Sequence, residues 1–164
     1  MESNKNHIGT VIKFCNDIAD DMNARYSHGN ITEMNFRSML VYPYVHANIG
    51  SVSIGDSVTL MQVNLMVCDR VNMITTENEG LNQGDLYSQV GYTENNNYAM
   101  VLQQLYGDFA IALKKYEMQY YNVLSVTRPV SMTPFEESYD DVVAGYTITL
   151  QLTLMNPIVT DGYC

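Results

Sequence analysis

The run DVVAGYTITLQLTLMNP, residues 141 to 157, constrains the chain more than any other stretch. Tyr146, Ile148, Leu150, Leu152 and Leu154 fall on one side of it, while Thr147, Thr149, Gln151 and Thr153 fall on the other. Alternation sustained over this length reads as a β-strand with one buried face and one polar face. A sheet built on such a strand needs an apolar cover on one side only, which limits the chain to layered folds. Asn156-Pro157 ends the strand, because proline cannot donate to a ladder.

The cover reads as two amphipathic helices. Ile8, Val11, Ile12, Cys15, Ile18, Ala19 and Met22 recur at three- and four-residue steps, one face of a helix. Asn4 or Asn6 is placed to cap its start, and Gly29 with Asn30 to stop it. Lys13, Asn16, Asp17, Asp20 and Asp21 make its solvated side. A second helix is expected from about Asn97 to Met118, with Tyr98, Val101, Leu102, Leu105, Phe109, Ala112, Leu113 and Tyr116 as its stripe. Lys114 and Lys115 are expected in its last turns, where the helix dipole favours cations.

The remaining strands are shorter. RSMLVYPYVHANIG is strand-like around residues 37 to 45, with Pro43 marking a sheet edge or the end of pairing. SVSIGDSVTLMQVNLMVCDRV reads as a hairpin turning at Gly55-Asp56. Its returning strand places Met61, Val63, Leu65 and Val67 on one face, and Leu60, Gln62, Asn64, Met66 and Cys68 on the other. Tyr120 to Val130 reads as another strand, closed by Pro129, and SMTPFEESYDD as a loop around Pro134. Residues 72 to 97 have no hydrophobic period and are rich in Asn, Glu, Gly and Gln, so they read as an arm or insertion. The expected fold is α+β: two amphipathic helices packed on a mostly antiparallel sheet with a long β-hairpin, in a single domain over residues 1–164.

Charge and chemistry narrow the function classes. Eight Lys and Arg stand against 18 Asp and Glu, a formal charge of −10. Stretches 71–98 and 129–164 carry acids and no base, so gripping a nucleic acid backbone is disfavoured. An acidic surface does suit a passage through which DNA slides without sticking. Cys15, Cys68 and Cys164 lack metal-ligand spacing, and the first two read as buried hydrophobes of a reducing compartment. No run of apolar residues is long enough to span a bilayer, and the N-terminus has no signal pattern. His7, His28 and His46 are dispersed, at a terminus, a helix end and a strand end. The pairs Asp20-Asp21, Glu136-Glu137 and Asp140-Asp141 are adjacent and diverge, whereas paired acid–base work needs converging carboxylates. Asp56 and Asp69 belong to no calcium-loop pattern. The expectation is a non-enzyme with no catalytic, cofactor or metal residues. The 13 Tyr and 11 Met fit surfaces that are buried on association as well as an adaptable core.

One region carries a family resemblance. FEESYDDVVAGYTITLQLTLMNPI, from Phe135 to Ile158, with the closing TDGYC, gives an acidic loop, Asp-x-x-x-Gly-aromatic, an alternating strand, Asn-Pro and a terminal Cys. With the upstream helix end KKYEMQYYNVLSV, it resembles the neck and tail-completion (tail-terminator) proteins of tailed bacteriophages, most of all ring-forming neck proteins of crAss-like phages. The resemblance implies a virion subunit in a six- or twelvefold ring between portal and tail, assembled in the host cytoplasm. Its partners would be copies of itself, the portal, an adaptor and other neck or tail proteins. DNA would pass through the lumen without specific binding, and no membrane partner is expected. The alternatives are a minor tail or head-decoration subunit, and a cytoplasmic non-enzymatic binding module. The interface candidates are Val52, Ile54, Asp56, Gln62, Asn64 and Met66 on the hairpin. Leu81, Tyr87 and Tyr92 on the arm join them, with Phe135, Glu136, Glu137 and Tyr139 in the acidic segment.

Overall fold

The computed structural model of the chain describes residues 6–30, 42–71, 94–138 and 142–156. Helix α1 spans His7–Asp21 and is followed by strands β1 (Arg25–His28), β2 (Tyr44–Ile54) and β3 (Val58–Arg70). Helix α2 (Glu94–Gln119) leads to β4 (Leu124–Val126), β5 (Ser131–Ser138) and β6 (Val142–Met155). The fold is the α+β arrangement expected, with both helices on one face of a six-stranded, mostly antiparallel sheet.

Burial explains the layers. α1 turns Val11, Phe14, Cys15, Ile18 and Ala19 inward, and α2 buries Leu105, Phe109, Ala112 and Leu113. They meet Val45, Ala47, Met61, Val63, Leu65, Val67, Ile148, Leu150, Leu152 and Leu154 from the sheet in one cluster. Each fully buried side chain of this size stabilises by roughly 1.5–3 kcal/mol. Phe14, absent from the expected stripe, is fully buried and meets the Tyr120 ring edge-on at 5.5 Å. At the other limit of that stripe, Ile8 is 48% exposed.

The sheet is organised around β6. β3 pairs with it antiparallel in an unbroken register from Val58↔Met155 to Arg70↔Val143. The other side of β6 is shared by β4, opposite Leu152 to Leu154, and β5, opposite Val142 to Thr149. β1 pairs parallel with the first residues of β2, Tyr44 to Ala47, and leaves the rest of β2 at the edge among the described residues. Between Ile49 and Val52 a bulge sets Gly50 and Ser51 opposite Gln62. The bulge resets the alternation, so Ile49 and Val52 both lie on the helix side of the sheet.

Several expectations are corrected. The Asn6 carboxamide caps α1 by accepting from the Gly9 N–H at 2.9 Å, but the helix stops at Asp21. Asn23, in the left-handed region at φ 52°, turns the chain into β1, which Gly29 and Asn30 then follow. The hairpin turn sits at Asp56-Ser57, because Ile54 pairs with Thr59 and the Gly55 N–H donates to the Val58 carbonyl. α2 begins earlier than expected, and Lys114 and Lys115 precede its last turn. The strand expected from Tyr120 to Val130 shrinks to β4, since Tyr120 to Val123 form the turn out of α2. SMTPFEESYDD is a strand over its first eight residues, not a loop. Pro134 is tolerated there because β5 is an edge strand, where one row of N–H groups has no sheet partner. The part of the 37–45 strand before Tyr42, and residues 72–93 of the arm, lie outside the described residues.

The glycine of the Asp-x-x-x-Gly-aromatic pattern has a steric cause. A Cβ built on Gly145 would sit 2.1 Å from the Val67 carbonyl oxygen and 2.7 Å from Cys68 Cβ. Both contacts lie inside β3, the strand that β6 pairs with. Gly145→Ala is therefore expected to prise β3 from β6 and to destabilise by about 1–3 kcal/mol, the usual cost of overpacking. Urea or thermal unfolding reads this directly, and wild-type stability in the variant would refute it.

Candidate interaction surface

At the hairpin end, one side chain ties three elements together. Asn156 Oδ1 accepts from the Thr59 hydroxyl at 2.7 Å, and the His7 imidazole Nε2 lies 3.1 Å from the same oxygen. The amide of Asn156 donates to the Gly55 carbonyl at 2.6 Å, and its backbone N–H to Ser57 O at 2.9 Å. The start of α1, the hairpin turn and the end of β6 are thus fixed to one another. Thr59, only 3% exposed, has its hydroxyl satisfied there.

This fixed end carries exposed apolar side chains. Of the eleven large hydrophobics exposed among the described residues, seven lie here: Ile8, Val52, Ile54, Leu60, Tyr121, Val123 and Met155. Ile54 is 81% exposed. The Met155 N–H donates to the Val123 carbonyl, which extends the row from β6 to the start of β4. Val52 and Ile54 face the helix side, whereas Leu60 and Met155 lie on the opposite face, so the apolar side chains flank the end of the sheet on both faces. Exposed apolar side chains concentrated at one end mark an interaction site more often than scattered single residues do. The other four, Met100, Tyr106, Ile111 and Met118, are on α2.

The sheet face away from the helices has a different character. Its cross-strand rows read Ser53, Leu60, Thr153, Ser125 and Asn48, Asn64, Thr149, Ser131. Gln62 and Gln151 form the row between them. Asn64 Oδ1 accepts from Gln62 Nε2 and from the Thr149 hydroxyl, each at 3.3 Å, so these side chains also bond among themselves. No ionised side chain stands in these rows, in a chain whose charge is −10.

Toward the other end of this face lies a small second core of Tyr44, Met66, Cys68 and Val143, with Tyr42 and Phe135 against it. Phe135 sits opposite Gly145 in the ladder. Beside this core is a polar network with one consistent proton assignment. The Gly29 carbonyl can only accept, so His46 Nε2–H donates to it at 3.2 Å. His46 Nδ1 then accepts from the Ser27 hydroxyl at 2.6 Å, and Ser27 Oγ accepts from the Tyr44 hydroxyl at 2.6 Å. His46, 3% exposed and inside β2 rather than at a strand end, is a satisfied neutral imidazole. His28 ends β1, not a helix.

The interface candidates separate accordingly. Val52 and Ile54 are brought together at the apolar end, with Asp56 in the adjoining exposed turn. Gln62 and Asn64 share the polar face, whereas Met66 is 5% exposed within the second core. Phe135 is half-buried there, Glu136 is exposed, and Glu137 pairs with Val143 through its backbone. Leu81, Tyr87, Tyr92 and Tyr139 lie outside the described residues. Sequence reading missed the wider apolar end, because Leu60, Val123 and Met155 become neighbours only through the sheet register. Burial pushes both the Cys15 and Cys68 thiols up to about 12, with Asp69 adding to the effect at Cys68. Burial raises the Asp69 carboxyl too, against the Arg70 N–H that donates to it at 2.7 Å. Among the described residues no cluster of metal-ligating side chains occurs. An apolar cleft of about 330 Å³, lined in part by Ile8, Ile12, Ile49 and Val63, lies between α1 and β1–β2. Compared with known proteins, the sequence matches no family model and no curated protein.

The His46 network sets a pH dependence. Burial lowers the imidazole below its ordinary 6.5, helped by nearby His28 and opposed by the Gly29 carbonyl. As pH falls through 6.5, the unfolded chain takes up this proton before the folded one, so stability falls with it. The urea midpoint is expected to drop more steeply below pH 6.5 in the wild type than in His46→Gln. Equal slopes in the two proteins would remove His46 as the cause.

Proposed function

We propose that the chain is a structural subunit that works by packing against copies of itself and neighbouring proteins, as a neck (head–tail connector) ring protein of a tailed phage. The observation that carries this reading is the apolar end. Seven exposed hydrophobics gather at the end of the sheet where Asn156 joins the start of α1, the hairpin turn and the end of β6, and a pre-ordered frame loses little conformational entropy on docking. The polar, charge-free sheet face supports the same reading, because charged residues are depleted at the centres of protein interfaces. The resemblance of Phe135 to Ile158 names the assembly: a ring that continues the DNA channel between portal and tail. Acidic copies lining such a channel would repel the DNA backbone instead of holding it.

Lateral contacts in the ring would use the hairpin end, and the acidic segment around Glu136 would face the portal, adaptor or tail. A second reading has an observation of its own. The apolar cleft beside α1 is of ligand-binding size and favours a small-molecule binding module.

Quantitative mass spectrometry of purified particles separates the two. A neck subunit is expected at a fixed stoichiometry to the portal protein, equal to it or half of it, as ring symmetry requires. A copy number far above the portal's would move the protein to the head or tail surface. Absence from particles would sink the virion reading.

A further inference from the structure

The cleft between α1 and β1–β2 lies where the sheet edge steps back. β1 ends opposite Ala47, while β2 runs on to Ile54. The register turns Tyr26, in the row of Val45, and His28, in the row of Ala47, toward α1. Ile12, Cys15, Tyr26, Ala47, Ile49 and Val63 line the cleft, so its floor reaches the main core at Cys15, Ala47 and Val63. Among the described residues, no carboxylate, ammonium or guanidinium group lines it. Its volume of about 330 Å³ is roughly twice the ~150 Å³ of an apolar cavity that accommodates benzene. That is room for a molecule of two fused rings.

Tyr26 carries a polar atom that the fold leaves unserved. Other tyrosines on these layers are satisfied: the Tyr44 hydroxyl donates to Ser27 and the Tyr120 hydroxyl to Asp17. The Tyr26 hydroxyl is buried without a hydrogen-bond partner. Burial, with the Cys15 thiol adding to it, holds the phenol well above its ordinary range, so it stays protonated and able to donate. A buried hydroxyl without a partner costs stability, and a phenylalanine would fill the same place without that cost. The ring stacks on His28 with centroids 5.8 Å apart. With Ile12 and His28 it also lines a shallower groove, whose far side carries Gly9, Lys13 and Asn16. The stack is therefore a thin wall with open space on both sides, and a small shift of the ring brings its hydroxyl into the cleft.

We propose that the cleft binds an uncharged, mostly apolar molecule of two-ring size through one hydrogen-bond acceptor, to which the Tyr26 hydroxyl donates. The inference rests on the reading of the cleft as a ligand site and not on the neck reading. The lining selects the class. An ionised ligand would lose its hydration there and find no counter-charge, whereas a single carbonyl or ether oxygen would meet the one unserved donor.

α-Tetralone, a two-ring ketone, and tetralin, the same ring system without the oxygen, are the probes. Each is titrated into the isotope-labelled full chain and followed by amide NMR. Both are expected to shift the amides around Ile12, Ala47 and Ile49. Both should fail to bind Ile12→Phe, which fills the cleft from a half-buried helical position. The preference for the ketone over the hydrocarbon should fall about threefold to tenfold in Tyr26→Phe, the worth of one neutral hydrogen bond. The probes differ in hydration equally in both proteins, so the change in preference isolates the hydroxyl. Without probe, Tyr26→Phe should melt no lower than the wild type, because the group it loses has no partner. A clearly lower melting temperature would give the hydroxyl a structural role and overturn the inference. An unchanged preference would overturn the acceptor and keep the cleft as an apolar ligand site. Failure of both probes to bind the wild type, or binding that survives Ile12→Phe, would overturn the ligand site and the inference together.

Discussion

Everything in the molecule depends on the unbroken pairing of β3 with β6. Thirteen residues of each strand lie in register, and both faces of the sheet inherit their character from that one ladder. Because side chains alternate, a slip by a single residue would turn Met61, Val63, Leu65 and Val67 to the outside and bring Gln62 and Asn64 under the helices. Gly145 is where the register is set most tightly. Its backbone lies so close to Val67 and Cys68 that no side chain fits between them. The second core collects at that same level, with Phe135 opposite the glycine and Met66 and Cys68 beside it. The strand that reads most clearly in the sequence is thus also the one against which the others are placed.

Legibility followed the range of the interaction. Period-two alternation in β6 and β3, and the helical stripes around Ile18 and Phe109, are local patterns, so they were readable and the fold class followed from them. The errors arose where partners are distant. In the sequence β5 resembles a loop because Pro134 and its acidic neighbours disfavour a strand locally, yet the unpaired side of β6 supplies a ladder. The same cause hid β1, whose four residues have no strong pattern of their own. They are held by pairing with β2 and by the Tyr44–Ser27–His46 hydrogen bonds. The hairpin turn lies one residue beyond Gly55-Asp56, since Gly55 favours a two-residue turn locally but its N–H is needed for the last rung at Val58. Of the candidate surface, Val52 and Ile54 were visible because they sit beside an obvious turn. Leu60, Val123 and Met155 come from three separate segments, and only the register makes them one surface.

The two ends of the sheet differ in how far their apolar side chains are covered. At one end the polar face is sealed into a small core by Tyr44, Met66, Cys68 and Val143. At the other, comparable apolar side chains remain open, although Asn156 joins the hairpin turn to the start of α1 and the end of β6. A protein optimised only for solubility would place polar residues at Ile54 and Met155, since neither contributes burial. Their exposure on fixed backbone is therefore better explained by association than by folding.

Net charge and local charge then act over different distances. At physiological ionic strength, repulsion between two copies of charge −10 reaches about 8 Å before it is screened, farther than any apolar contact. Much of the described charge is already paired where it stands, Lys13 with Asp17, Lys115 with Asp21 and Arg128 with Glu117. The surplus of acid therefore keeps copies apart at long range, while events at contact fall to the surfaces with no charge to desolvate, the Gln62–Gln151 row and the exposed apolar side chains at the hairpin end.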